Sequence, residues 1–184
     1  CGAGLRQKGN TLFGTNPATP SNLSPLWGLA YEFKPLVLTA SAEFTHFSPY
    51  SLLLSAEFVK NTGFDKADFQ RRSGLNLDPG GKAKGYQFRA AFGAAEVREP
   101  EQWQAALTYR YLGSDAVLDA FNDSDLGLGG TNVQGYTIGF TYGLFRNTSL
   151  GLRYLSSRTI DSPINDQFEP NAQYRVNSVQ VDLN

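Results

Sequence analysis

Hydrophobic and polar side chains alternate along most of the chain after residue 25. In WQAALTYRYLG (103–113), Leu107 and Tyr109 share one parity, whereas Thr108 and Arg110 share the other. Successive side chains of a strand point to opposite faces, so a period of two indicates a strand with one apolar and one polar face. The pattern alone leaves open whether the apolar face meets a protein core or membrane lipid.

Seven further segments show the same alternation, and no helical pattern competes with them. The strands are predicted to be about nine to eleven residues long, which is enough for a tilted strand to cross a bilayer. The eight segments are LWGLAYEF (26–33), LVLTASAEF (36–44), YSLLLSAEF (50–58), YQFRAAFG (86–93), WQAALTYRYLG (103–113), YTIGFTYGL (136–144), SLGLRYLSS (149–157) and YRVNSVQVDLN (174–184).

The connections between the predicted strands alternate between long and short. This pattern is typical of outer-membrane barrels, whose outer loops are long and whose periplasmic turns are short. The tight Lys34–Pro35 connection departs from it, because a long loop is due there. The predicted fold is therefore all-β, an antiparallel up-and-down transmembrane β-barrel with about eight strands present.

Length and composition set limits on this reading. The chain has 184 residues and 13% aromatic residues, and no apolar run is long enough for a membrane-spanning helix. Many of the aromatic residues fall near the ends of the predicted strands, as in the aromatic bands of membrane barrels. Residues 1–24 are rich in Gly, Asn, Pro, Thr and Ser and are predicted to be a loop or disordered lead-in. Residues 25–184 are predicted to form the barrel segment.

The polar parity of the strands carries charges that change sign along the chain. Acidic residues come early and arginines come late, so strands lying side by side would form one acidic and one basic wall. In a narrow barrel the same residues would pair as salt bridges in a filled interior, and both readings stay open. The predicted pore-lining residues are Glu32, Glu43, Glu57, Arg89, Arg110, Arg153 and Arg175.

The sequence offers little for catalysis, cofactors or nucleic acid. His46 is the only histidine and falls in a predicted short turn, so no Ser/His/Asp set is predicted. No cofactor and no Cys/His metal site is predicted, and a net charge of −1 argues against a nucleic-acid partner. The loop at 119–125 is acidic, and we expect it to be solvated, with calcium binding as the less favoured alternative. Cys1 leaves lipidation open.

One region carries a family resemblance. The run at 100–156, with YRYLGSDAVLDAF, DSDLGLGGTN and LGLRYL, resembles the C-terminal portion of the "putative porin" family of Gram-negative outer membranes. VQVDLN at the end and EFVKNTGFD at 57–65 are also similar to it. The resemblance implies a β-barrel channel for small solutes without catalytic activity. Members of this family are longer and finish with an aromatic residue, so the resemblance implies that this chain is a C-terminal piece of a larger barrel.

The predicted function is an outer-membrane porin, a passive diffusion channel for small polar solutes or ions with a charge-lined lumen. Its partners would be the lipid bilayer and these solutes, its location would be the bacterial outer membrane, and homo-oligomerisation stays open. The first alternative is a closed eight-stranded structural or adhesive barrel without conductance. The second alternative is a soluble ligand-binding β-barrel. An outer-membrane enzyme is the least favoured, because no catalytic base is found.

Overall fold

The main feature of the fold is one antiparallel sheet of seven strands. A computed structural model describes residues 9–15, 27–73, 82–160 and 175–184. It confirms the all-β prediction. The strands are β1 (Leu12–Gly14), β2 (Trp27–Leu29), β3 (Pro35–Phe44), β4 (Ser51–Asn61), β5 (Lys84–Gly93), β6 (Trp103–Leu112), β7 (Val133–Phe145), β8 (Thr148–Thr159) and β9 (Arg175–Leu183).

Strands β3 to β9 form an up-and-down meander, in which each strand pairs with its neighbours in sequence. One row of directly opposed residues runs through Leu54, Ala90, Leu107, Ile138 and Tyr154. The register therefore places the apolar parity of every strand on one side of the sheet, called here the apolar face. Within the described residues, β3 and β9 are the edges of this sheet, so it is an open sheet consistent with part of a barrel.

The connections divide the sheet into two ends. Short connections at 45–50, 94–102 and 146–147 lie at one end, called here the short-turn end. The strand ends that are joined by residues 62–83, 113–132 and 160–174 lie at the opposite end of the sheet, called here the long-loop end. The predicted alternation of long and short connections is confirmed.

The prediction for the first strand was wrong. Only Trp27–Leu29 is extended there, and it pairs with Leu12–Gly14 in a separate two-stranded sheet. Ala30 and Tyr31 are buried with Phe69, so these two residues pack against the connection between β4 and β5. Lys34–Pro35 is therefore not a turn between strands, and the departure from alternating connections disappears.

One helix was missed. Helix α1 (Lys66–Ser73) lies within the connection between β4 and β5. The Asp65 carboxylate accepts hydrogen bonds from the backbone amides of Ala67 and Asp68, which satisfies two donors at the helix start. With Phe69 as its only large apolar side chain, α1 has too little periodicity to be found from sequence. No helix in the described ranges is both long enough and apolar enough to cross a membrane.

A small core covers part of the second face of the sheet. Ala116 and Leu126, from the connection at 113–132, pack with Val59, Leu112, Val133 and Leu155, which project from β4, β6, β7 and β8. Because these strand residues have the parity opposite to the apolar face, the connection lies across the other side of the sheet. We call that side the loop-covered face.

Candidate functional site

Charged side chains are strongly segregated between the two faces of the sheet. No strand of the described sheet places a carboxylate on the apolar face, and the middle of that face is entirely apolar. More than half of the strand residues on the loop-covered face are polar. This face carries Glu43, Glu57, Arg89, Arg110, Arg153 and Asp182.

Arg110 is held in place from two sides. Its Nε donates to the Gln87 side-chain oxygen at 2.7 Å, and Gln87 lies directly opposite on β5. Its Nη1 lies 3.2 Å from the carboxylate of Asp123, which belongs to the connection at 113–132. The Asp123 carboxylate also accepts the amide of Asp125, which fixes the local turn. A strand residue and a loop residue together therefore orient this guanidinium.

Arg153 makes a second bridge between the sheet and the same connection. Its Nη1 lies 3.4 Å from the Asp125 carboxylate, and its Nη2 lies 3.3 Å from the Asp182 carboxylate on β9. These side chains are about 40% exposed, so each pair contributes at most about 1 kcal/mol to stability. The pairs thus fix the positions of charges more than they stabilise the fold.

The predicted acidic and basic walls are adjacent rather than in contact. Glu57 lies directly opposite Gln87, and Gln87 lies directly opposite Arg110, so one neutral amide separates the two charges. A cavity of about 370 Å³ lies here, lined by these three side chains and by Phe121 and Asn122 from the connection at 113–132. The cavity places an anionic and a cationic group on neighbouring parts of one wall.

Glu43 and Arg89 lie elsewhere on the loop-covered face. Glu43 is near the short-turn end of edge strand β3 and is exposed. Arg89 lies directly opposite Thr108 and makes a long contact, at 3.5 Å, with the Gln104 side chain. Neither residue reaches the cavity beside Arg110 in the structure.

Two of the predicted pore-lining residues lie outside this face. Glu32 precedes β3 and belongs to no strand of the main sheet, so it has no place on the loop-covered face. Its carboxylate pairs with the Lys34 ammonium at 2.6 Å. Arg175 has the same parity as Val179 and lies directly opposite Arg158 on the apolar side of the sheet. These two assignments are corrected. The alternation of residues 175–183 in the sequence already places Arg175 on the same side as Val179.

Three acidic residues were missed as partners of the arginines. Asp182 alternates with Val181 and Leu183, so its place on the loop-covered face could have been predicted. Asp123 and Asp125 were expected to be solvated, because sequence gives no sign that their connection folds back across the sheet. The described ranges hold no group of three His, Cys, Asp or Glu side chains placed to hold a metal ion.

Asn10 and Thr11, called here the N-terminal segment, hold the connection at 113–132 through hydrogen bonds. The Asn10 amide donates to the carbonyls of Ser114 at 2.5 Å and Val117 at 2.8 Å, and its oxygen accepts the Asp119 amide at 2.9 Å. The backbone amide and hydroxyl of Thr11 donate to a carboxylate in the same connection, at 2.9 and 2.6 Å. That carboxylate belongs to Asp115.

Two buried carboxyls in this connection have altered titration. Burial raises the pKa of Asp119 to about 6, and nearby backbone amides offset only part of the effect. Burial also raises the pKa of Asp115, against the opposing hydrogen bonds from Thr11 and Ser114. Packing of this connection is therefore coupled to pH near neutrality.

Aromatic side chains form two bands on the sheet. Towards the short-turn end, Trp103 lies 5.2 Å from Tyr50 and 6.0 Å from Phe92 between ring centroids. Towards the long-loop end, Tyr86 and Tyr111 stack with centroids 5.1 Å apart. Aliphatic and small residues lie between the two bands, so the predicted clustering of aromatic residues near strand ends is confirmed.

Comparison with protein families identifies a match over almost the whole chain. The model of the family described as "Putative porin" matches residues 3–184 of the chain. No curated protein and no solved structure matches it.

Proposed function

The chain belongs to the "Putative porin" family, and from this premise we propose that it forms the wall of a bacterial outer-membrane channel. The channel would pass small polar solutes or ions by passive diffusion. Its apolar face would meet lipid, and its loop-covered face would line the lumen.

The observation that carries the proposal is the segregation of charge. Large apolar side chains in the middle of the apolar face, such as Leu107 and Ile138, are about half exposed. Contiguous exposed apolar surface on this scale favours a membrane or protein interface. Arg110 and Arg153, by contrast, project from the opposite face of the same sheet. Apolar-out and polar-in alternation is the pattern of membrane barrels.

The boundary of the apolar band supports a tilted, barrel-like arrangement. At the long-loop end it lies at Phe58 on β4, and the row of opposed residues from Phe58 reaches β9 at Arg175. On β9 the boundary of the apolar band lies at Val179, four residues along the strand from Arg175. Between β4 and β9 the boundary therefore shifts by about 14 Å along the strands, while the five strand spacings of about 4.8 Å cover about 24 Å across the sheet. The implied tilt is about 30°, close to that of strands in closed barrels.

Single-channel conductance in planar bilayers tests the proposal, recorded from the protein refolded with every strand that its barrel needs beyond the seven of the described sheet. We expect discrete ionic steps. In Arg110→Glu, we expect the ratio of cation to anion permeability to rise by about twofold or more, because a fixed positive charge of the lumen is reversed.

The matched control is Arg146→Glu, which makes the same charge change at an exposed position in the 146–147 turn. We expect little change in selectivity for this variant. Steps with equal selectivity in the wild type, Arg110→Glu and Arg146→Glu would contradict the assignment of Arg110 to the lumen.

A second candidate function is a membrane barrel whose interior is blocked. The buried cluster around Leu126 and Val133 favours it, because this cluster covers part of the loop-covered face near the long-loop end. Such a protein would insert into bilayers and stay folded, yet show no conductance steps. The same recording therefore separates the two candidates.

A further inference from the structure

Four cations interrupt the apolar face, and all of them lie towards its long-loop end. Lys60 and Lys84 are directly opposed on β4 and β5, and Arg158 and Arg175 are directly opposed on β8 and β9. All four side chains are exposed. They occur at or just beyond the aromatic band that contains Tyr86, which is the level of lipid head groups if the apolar face meets lipid.

Each pair places two like charges against each other. Directly opposed residues in an antiparallel sheet have Cβ atoms about 4.5–5.5 Å apart, and like charges on directly opposed residues are destabilising. No described carboxylate forms a salt bridge with any of these four residues. An anion between the two cations of a pair would remove the repulsion.

The charges of the short-turn end are arranged differently. In the short connections there, Arg98 pairs with Glu96 and Arg146 lies 3.8 Å from a Glu99 carboxylate oxygen. Cations of the protein are thus accompanied by carboxylates at one end, whereas the outward cations at the other end have none among the described residues. The difference points to an external source of negative charge at the long-loop end.

We propose that the pairs Lys60–Lys84 and Arg158–Arg175 are two binding sites for phosphate groups of anionic lipid head groups in the leaflet at the long-loop end. The inference rests on the proposed membrane function, because only then do these side chains lie at head-group depth. The arginine pair offers bidentate donors to phosphate oxygens, and the lysine pair offers compact point charges. Non-polar side chains below each pair would contact the acyl chains.

The test measures binding of lipid A, a diphosphorylated glycolipid, to the refolded chain in neutral maltoside micelles, followed by phosphorus NMR. Saturable binding is expected for the wild type. The double variants Lys60→Gln with Lys84→Gln, and Arg158→Gln with Arg175→Gln, should each weaken binding at one site by about tenfold. The control is Lys34→Gln with Arg71→Gln, which removes the same charge from cations paired with Glu32 and Asp68.

Unchanged affinity in both double variants, or an equal loss in the control, would overturn the inference. Inorganic phosphate should displace no more lipid A than KCl does at the same ionic strength. A larger displacement would show that free phosphate is the ligand and would also overturn the lipid assignment.

Conductance in phosphatidylcholine bilayers is recorded from the same preparations. A chain that conducts but binds lipid A no better than its double variants overturns this inference alone. A protein that has every strand needed to close its barrel and still fails to insert into any bilayer overturns the proposed function, and the inference with it.

Discussion

Neighbouring residues of one strand should respond in opposite ways to the same substitution. Ile138 lies on the apolar face and is half exposed, whereas Thr137 lies on the loop-covered face beside it. If the apolar face meets the middle of a bilayer, Ile138→Arg should lower the free energy of unfolding by about 2–4 kcal/mol. Thr137→Arg should cost much less, because its guanidinium can reach water.

The same comparison applies on β6, with Leu107→Arg against Thr108→Arg. Denaturant titration of each variant in lipid vesicles measures the free energy of unfolding. Equal losses of unfolding free energy for arginine on the apolar face and on the loop-covered face would contradict the assignment of the apolar face to lipid. Large costs confined to the loop-covered face would instead favour a water-facing apolar side, as in a soluble protein.

A single carboxyl should control much of the pH response of the connection at 113–132. The pKa of Asp119 is raised to about 6 in the fold, above the value of about 3.9 in an unfolded chain. Its protonated form therefore stabilises the packed connection fully below about pH 4, and this contribution is lost as the pH rises through about 6. The predicted loss is on the order of 2 kcal/mol.

Hydrogen exchange of amides in this connection, measured between pH 4 and pH 7 and corrected for intrinsic rates, checks this prediction. In the wild type, protection against exchange should fall as the pH rises, and Asp119→Asn should remove most of this fall. The raised pKa of Asp115 should leave a smaller fall with rising pH in the variant. The control is Asp123→Asn, which changes an exposed carboxyl of the same connection. A wild-type pH response that survives in Asp119→Asn would contradict the assignment.

At the level of strands, the turn between β5 and β6 depends on one glycine. Gly93 has φ +133°, and a Cβ atom there would overlap the carbonyl oxygen of Trp103. Gly93→Ala should therefore lower the free energy of unfolding by about 1–3 kcal/mol. Gly139→Ala is the matched control, because its Cβ would only reach ordinary contact with the Arg153 side chain at 3.8 Å. Similar denaturation midpoints for both variants would show that the turn shifts to accommodate the added Cβ atom at position 93, and would contradict the prediction.

The N-terminal segment and the connection at 113–132 should behave as one unit. Asn10→Ala removes three donated hydrogen bonds and leaves the buried Asp119 amide without its acceptor. We expect local protection of this connection to fall by about 1–3 kcal/mol, with the central strands unchanged. Hydrogen exchange resolved by segment measures both. A uniform loss across β4 to β8 would instead mean that the segment supports the whole sheet.

Sequence periodicity predicted the strands of the main sheet, which pair with similar strands, and failed where an apolar segment packs against a helix. Strands β3 to β9 were found because a half-buried sheet imposes a period of two on every strand. Tyr31 alternates equally well, but it packs on Phe69 of α1, and alternation does not identify the partner of an apolar side chain. The fold of the connection at 113–132 was hidden because it depends on Asn10, more than a hundred residues away.

For the site, sequence parity placed Glu43, Glu57, Arg89, Arg110 and Arg153 on a common face of the sheet, as the structure has them. It could not show that loop carboxylates approach two of these arginines, because that contact comes from tertiary folding. The charged lining of the proposed channel is therefore partly a property of the strands and partly of a connection whose packing responds to pH.

The number of strands constrains how the whole molecule can close. β3 and β9 both run from the long-loop end to the short-turn end, because an odd number of alternating strands returns to its first direction. Direct pairing of these two edges would be parallel, whereas membrane barrels of this type are built from antiparallel strands. Unpaired edges are not tolerated in lipid, so closure by antiparallel pairing requires an odd number of strands beyond the seven of the described sheet.

Cysteine cross-linking checks this constraint. On a Cys1→Ser background, Ser41→Cys on β3 and Ser178→Cys on β9 should form no disulfide within one chain. The control pair is Ser41→Cys with Ser55→Cys, which are directly opposed on β3 and β4 and should oxidise readily. Rapid formation of the Ser41–Ser178 cross-link in a bilayer-inserted monomer would contradict the prediction, because it would mean that the seven strands close on themselves through a parallel pair.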